Sequence, residues 1–252
     1  MTEMKSSLDT QKSKLTKDRQ NADDNRAYVW KLVPRYALPA LILALLMNTF
    51  CYNASRLFTS NWPHHCLQFS FEPLVPLFPP AIWIYVLAFV QWIVSYIVIA
   101  RQTKETAYRL VSADIWAKFI TMAIFILLPT TVARETCNGQ DLSSMMLRAI
   151  RSVDPSDNLF PSIHCLESWL CFRATHYMSR VLPAYRWGMF VFTLLVFASV
   201  LLTGQHTIID IPAGMLMVEA GLLLTRKWRL DALFDRAGKL VYSRKIPHYE
   251  EE

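Results

Sequence analysis

Apolar residues in this chain come in blocks separated by short polar segments, and the block lengths decide the architecture. A hydrocarbon core about 30 Å thick needs roughly 20 mostly apolar residues per helical span. "YALPALILALLMNTFCY" (36–52), "AIWIYVLAFVQWIVSYIVIA" (81–100) and "ADIWAKFITMAIFILLPTTVA" (113–133) predict three spans. A fourth, the least apolar, begins near Ile163 and runs to about Met178. "WGMFVFTLLVFASVLLTG" (187–204) and "IIDIPAGMLMVEAGLLL" (208–224) give a fifth and a sixth. "NWPHHC" and "EPLVPLFPP" read as loop, because prolines forbid a continuous helix there. Residues 134–161 also read as loop, on the turn signals "CNGQD" and "DPSDN". The expected fold is all-α, an integral membrane bundle of six transmembrane helices.

Composition agrees with the blocks. Hydrophobic residues make up 53% and charged residues 18%, which argues against a soluble protein. Residues 1–35 form a polar N-terminal arm, 36–225 the membrane domain and 226–252 a basic tail. No signal peptide is visible, so targeting is expected to rest on the first span. Lys and Arg then set the orientation. The arm, the 101–112 and 179–186 loops and the tail share 20 of them, against 4 on the opposite side. Both termini are therefore expected in the cytoplasm. The net charge of +6 needs no nucleic-acid partner, since cytoplasmic basic residues facing anionic lipid explain it. Lys118, near the start of the third span, is expected to snorkel outward. The five cysteines have no metal-binding spacing and read as small apolar residues. Cys66 and Cys137 fall in loops on the same outer side, which leaves a disulfide between them open.

This topology gathers chemistry on the outer face. His206 and Asp210 are four residues apart, the spacing that puts two side chains on one helix face. A carboxylate on one ring nitrogen fixes the tautomer and frees the other as a nucleophile. Pro212 belongs in a helix's first turn, so the helix should start near Thr207 or Ile208, with His206 just before it. In "FPSIHCLESW", Ser162 reads as an N-cap, and the helix start offers free N–H groups to a phosphate. His164, one turn in, could protonate a leaving oxygen. Arg134 supplies a planar fork suited to phosphate oxygens. Taken singly, these are equally an ordinary cap, an interfacial histidine and a snorkelling arginine. A metal site of His164, His206 and Asp210 lacks a fourth ligand and a water-activating base.

"FPSIHCLESW" together with "QHTIIDIPAG" resembles the type 2 phosphatidic acid phosphatase superfamily, over about residues 113–225. That family is a six-span helical bundle with three motifs: Lys-x6-Arg-Pro, Pro-Ser-x-His and Ser-Arg-x5-His-x3-Asp. The resemblance implies that His206 attacks phosphorus, Asp210 orients it and His164 protonates the leaving alcohol. Arg134 and Ser162 would bind phosphate, and no metal or cofactor is implied. The second motif and the His-x3-Asp pair are intact. Leu127 stands for the first motif's lysine, Glu135 for its proline and Val200 for the third motif's arginine. Such thinner phosphate coordination resembles the inositol-phosphoceramide and sphingomyelin synthase branch, which passes a phospho-headgroup to another lipid.

The expected function is a membrane lipid-phosphate phosphohydrolase. Its site would open on the extracytoplasmic face of a plasma or inner membrane, and its partners would be a lipid phosphate substrate and the bilayer. The alternatives are a headgroup phosphotransferase and a non-catalytic phospholipid binder or transporter. Glu167, one turn below His164, either tunes that histidine or lines a wet cavity. Arg173 and Glu219 are each nine residues below the motif residues His164 and Asp210, so they are expected to pair and clamp the fourth and sixth spans.

Overall fold

The structure is a computed structural model, and it describes residues 33–34, 36–179, 181–234 and 236. The predicted arm lies almost wholly outside these, as does the larger part of the predicted basic tail. Among the described residues, seven α-helices follow in order: α1 (Leu38–Thr59), α2 (Ile82–Ala100), α3 (Lys104–Leu127), α4 (Leu142–Val153), α5 (Ile163–Ala174), α6 (Pro183–Leu202) and α7 (Asp210–Trp228). Two-residue strands β1 (His65–Cys66) and β2 (Thr130–Thr131) pair in parallel.

All-α architecture stands as expected. Among the described residues, four helical stretches are long and apolar enough to cross a membrane: Leu38–Thr59, Pro79–Ala100, Lys104–Leu127 and Pro183–Leu202. The fourth and sixth predicted spans differ. α5 has 12 residues, about 18 Å of helix, shorter than a hydrocarbon core. α7 has 19 residues but carries Asp210, Glu219, Arg226 and Lys227. The third predicted span is shifted toward the N-terminus. Thr103 caps α3 by accepting the Thr106 N–H, and Pro129 disfavours helix at Leu128, where the helix stops.

Residues 134–161 are not wholly loop, because α4 lies inside them. The turn signals mark its two ends. Asp141 is the N-cap, accepting the Ser144 N–H, and Asp154 is the C-cap. The Asp141 carboxyl is held below its ordinary value by the Ser144 hydroxyl and amide.

Helices approach closely where glycine removes a side chain. A Cβ on Gly221 of α7 would strike the Ala113 carbonyl of α3. One on Gly214 would lie 2.8 Å from the Leu166 nitrogen of α5. Small residues let membrane helices pack backbone to backbone. The same contacts fix directions. Gly214 meets α5 near its start, and Tyr85 of α2 stacks on His164. One end of the bundle therefore collects the starts of α2, α5 and α7, together with α4 and the β pair. Large apolar side chains such as Leu45, Leu46 and Ile93 remain exposed on α1 and α2, as suits a lipid-facing surface.

Buried charges clamp the interior. Arg173 Nε and Nη2 donate to Glu219 Oε1 and Oε2 at 2.6 and 3.0 Å, the pair expected between α5 and α7. Lys118 does not snorkel. It is 1% exposed and pairs with Asp114 at 2.8 Å and Glu167 at 2.6 Å. A carboxylate supplied by a neighbouring helix holds it in place. Glu167 is thereby paired with Lys118, and it also lines a cavity of about 380 Å³. All five cysteines are free, with Cys66 exposed and Cys137 buried.

Candidate active site

α5 begins where Ser162, fully buried, accepts the Cys165 N–H at 3.3 Å. His164 follows in the first turn, its ring held by aromatic side chains of α2. It stacks on Tyr85 with centroids 3.9 Å apart, and Trp92 and Phe89 lie at 4.9 and 5.3 Å. His164 Nε2 is buried without a hydrogen-bond partner.

His206 sits in the turn between α6 and α7. Gly204 takes a left-handed φ of 59° there, a conformation glycine adopts at no steric cost. The Gln205 and His206 N–H groups both donate to the Val200 carbonyl, folding the turn back on α6. α7 starts at Asp210, so His206 stands just before it, and Pro212 falls in the first turn. Asp210 Oδ2 accepts from Thr207 N at 2.7 Å and Thr207 Oγ1 at 2.9 Å. It lies 3.6 Å from His206 Nδ1, in electrostatic range but too long for a hydrogen bond. The His164 and His206 ring centroids are 6.3 Å apart. That leaves room for a phosphorus between them when reacting atoms sit about 3–3.5 Å apart.

Arg134 lies beyond the end of α3, on the segment after β2. Its Nη1 donates to the Asp154 carbonyl at 2.7 Å, while Nε and Nη2 are buried without partners. Burial lowers its pKa and the nearby Asp154 carboxylate opposes that, but a guanidinium stays charged at neutral pH.

Several residues of this site were not legible as such in the sequence. Arg151 of α4 donates to the Glu135 carbonyl at 2.6 Å and the Thr203 carbonyl at 2.8 Å, tying the Arg134 segment to the His206 turn. Burial, and after it the nearby charge of Arg134, push its pKa below the ordinary value. Asp154 accepts from the Tyr52 hydroxyl at 2.6 Å and the Tyr85 hydroxyl at 3.3 Å, which braces the ring beneath His164. The available signal was "DPSDN", but without α4 it read only as a turn.

Three cavities meet here. One of about 310 Å³ is lined by Tyr52, Tyr85, Trp92, Asp154, His164 and His206. A second, about 380 Å³, shares Asn48, Phe89 and Trp92 with it and reaches Lys118 and Glu167. A third, about 210 Å³, touches His206 from another side and is lined by Gln68, Glu72, Glu135 and Ile208. The structure thus brings His164, His206 and Asp210 together at one end of the bundle. Ser162 is at the cap of the same helix as His164, and Arg134 is linked to it through Asp154 and Tyr85.

A family model described as the PAP2 superfamily matches residues 75–224. The chain belongs to the type 2 phosphatidic acid phosphatase (PAP2) superfamily. Comparisons with curated proteins and with solved structures find no match. Membership of the PAP2 superfamily carries a phosphatase or phosphotransferase chemistry in general terms. Three motif positions of this PAP2 chain are substituted, and one of them, Glu135, lines the cavity of about 210 Å³. Leu127 is 83% exposed at the end of α3, and Val200 is buried in α6.

Proposed function

We propose that the chain is an integral membrane lipid-phosphate phosphohydrolase acting through a phosphohistidine. The lone pair of His206 Nε2 attacks phosphorus, with Asp210 favouring the proton on Nδ1. The P–O bond to the lipid alcohol breaks, and His164 gives its proton to the departing oxygen. Water then loses a proton to His164 and attacks phosphorus, and the P–N bond breaks. Arg134 donates through its two unpartnered nitrogens, and the α5 start behind Ser162 adds its N–H groups. The observation that supports this chemistry is the meeting of His164 and His206, 6.3 Å apart, on one cavity. In the proposed topology six helices cross the membrane, both termini are cytoplasmic and the site opens outward, on the strength of the 20-to-4 bias in Lys and Arg.

A second reading replaces water by a lipid alcohol. It is favoured by the chamber of about 380 Å³ that joins the reaction cavity at Asn48, Phe89 and Trp92, room for a second apolar chain.

The test is to incubate the full purified chain with radiolabelled lipid phosphate esters, monoester and diester, and to follow label on the protein and in the products. Label trapped on wild type and absent from His206→Ala supports the phosphohistidine. Label appearing only on an added lipid alcohol selects the transferase. Binding without turnover selects a phospholipid binder, and labelling that survives His206→Ala ends the proposal.

A further inference from the structure

The outward face of α4 is the wrong kind for water. This helix lies at the catalytic end of the bundle, in a segment whose sequence reads as an aqueous loop. A helix bathed by water turns its charges outward and its apolar side chains in. Here the arginines turn toward backbone. Arg148 donates to the Cys137 and Gly139 carbonyls at 3.0 and 2.6 Å, and Arg151 to the Glu135 and Thr203 carbonyls. Met146, Leu147 and Ile150 pack on the core. On the outward side Leu142, Met145 and Val153 are 67%, 53% and 74% exposed, and Ala149 and Ser152 are exposed with them. At 3.6 residues per turn these five fall within an arc of about 100°. None of them carries a charge.

The arc continues a lipid-facing surface. On α2, Trp83, Leu87, Val90 and Val94 recur at the spacing of one helix face, and all four are exposed. That is the stripe a span turns toward acyl chains. Trp83 begins it, and its Nε1 donates to Ser143 Oγ of α4 at 3.0 Å. Tryptophan is favoured where membrane meets water. The hydrogen bond therefore joins the head of the α2 stripe to α4 at that depth. The boundary between headgroups and acyl chains is the surrounding that accepts such an uncharged apolar arc.

We propose that α4 is an interfacial helix whose face of Leu142, Met145 and Val153 is seated in lipid at this boundary, and that the seating holds the reaction cavity at the depth of a lipid's phosphate. Ile150 and Val153 line the cavity of about 310 Å³, so the embedded edge of α4 borders the place where His164 and His206 meet. Arg151 ties the same helix to the His206 turn, and Asp154, at its end, to Tyr85. A lipid's phosphate lies just above the layer in which an interfacial helix floats, so the ester reaches the histidines without being lifted out of the bilayer. The seating rests only on the bundle lying in a membrane, whereas its service to the cavity rests on the phosphohistidine chemistry above.

The test places a bimane fluorophore on the full chain in phosphatidylcholine nanodiscs. Cys66 is exposed and the other four cysteines are buried. Cys66→Ser with Met145→Cys therefore labels the arc, and Cys66→Ser with Gln140→Cys labels the exposed segment just before α4. Doxyl groups on the lipid acyl chains are expected to quench the label at 145 several-fold more than aqueous iodide does, and the label at 140 the other way round. An arc quenched by iodide as freely as position 140 would overturn the seating. So would an arc that neither quencher reaches, since a protein surface would then cover it. In the otherwise native chain, Met145→Glu should lower turnover of a long-chain phosphate ester in the bilayer about tenfold, the scale of one half-buried apolar side chain. Turnover of a short-chain, water-soluble ester should stay nearly unchanged. Equal loss on both esters would overturn the link between seating and cavity. No turnover of either ester by the wild type would remove the phosphohistidine reading and leave the fluorophore to decide the seating.

Discussion

One helix face of α5 carries two polar centres with opposite character. His164 and Glu167 are three residues apart, about 4.5 Å along the axis. Around Glu167 almost everything is paired. Lys118 spends its ammonium protons on Asp114, Glu167 and the Ala44 carbonyl, and the Tyr96 hydroxyl bonds Glu167 at 3.1 Å. Asp114 Oδ1 is the atom left over. Around His164 the reverse holds: His164 Nε2, His206 Nδ1, and Arg134 Nε and Nη2 are all buried without partners. Unmet hydrogen-bonding groups are costly, and a site accumulates them when a ligand is what satisfies them. The lower cluster is closed by its own partners and holds helices together, while the upper one leaves buried groups unmet, as the proposed binding role requires.

The sharpest test of that contrast removes one group from each centre. His206→Ala should lower turnover by about ten-thousand-fold while leaving the melting profile of the purified chain nearly unchanged. Lys118→Met should do the opposite. It strands Asp114 and Glu167 as unpaired buried carboxylates, at about 3–5 kcal/mol of stability, read as a lower unfolding midpoint in detergent. Replacing the three together by apolar residues of similar volume should recover most of that loss, because the charges were costly to bury. A catalytic collapse without destabilisation from Lys118→Met would reverse the assignment of the two centres.

A smaller effect is expected from Arg173 and Glu219, whose side chains are 25% and 38% exposed. Either charge reversed alone should cost about 1 kcal/mol, and Arg173→Glu with Glu219→Arg should restore it. A double variant no better than the singles would mean that each group faces its own surroundings. The smallest effect concerns Asp141, the exposed cap of α4. Its carboxyl titrates below its unfolded value, so the stability it adds is present above the ordinary carboxyl range and is lost as pH falls through the folded value. Amide exchange in α4 should therefore accelerate on acidification, and Asp141→Ala should abolish that pH dependence.

Much of the fold was legible because it depends on local pattern. Long apolar blocks became α1, α2, α3 and α6, the Ser162 cap started α5, and Pro212 kept His206 just outside α7. The pairing of Arg173 with Glu219 followed from their depth on two spans. What escaped was short or distant. α4 has 12 residues between two aspartates, and those aspartates read as turns. Lys118 looked like a snorkelling residue because its second partner, Glu167, is on another helix. Arg151 and Asp154 gained meaning only through α4, which points them at the Arg134 segment, the His206 turn and Tyr85.

By itself, then, the sequence determined that this chain is a helical membrane protein and which histidines head its helices, since hydropathy and capping act over one or two turns. Tertiary packing alone decided that the two imidazoles face one cavity, that a lysine is locked a turn beneath them, and that a carboxylate-lined chamber opens beside His206. Those are relations between side chains far apart in the chain, and only the close approach of α3, α5 and α7 over Gly214 and Gly221 brings them within reach.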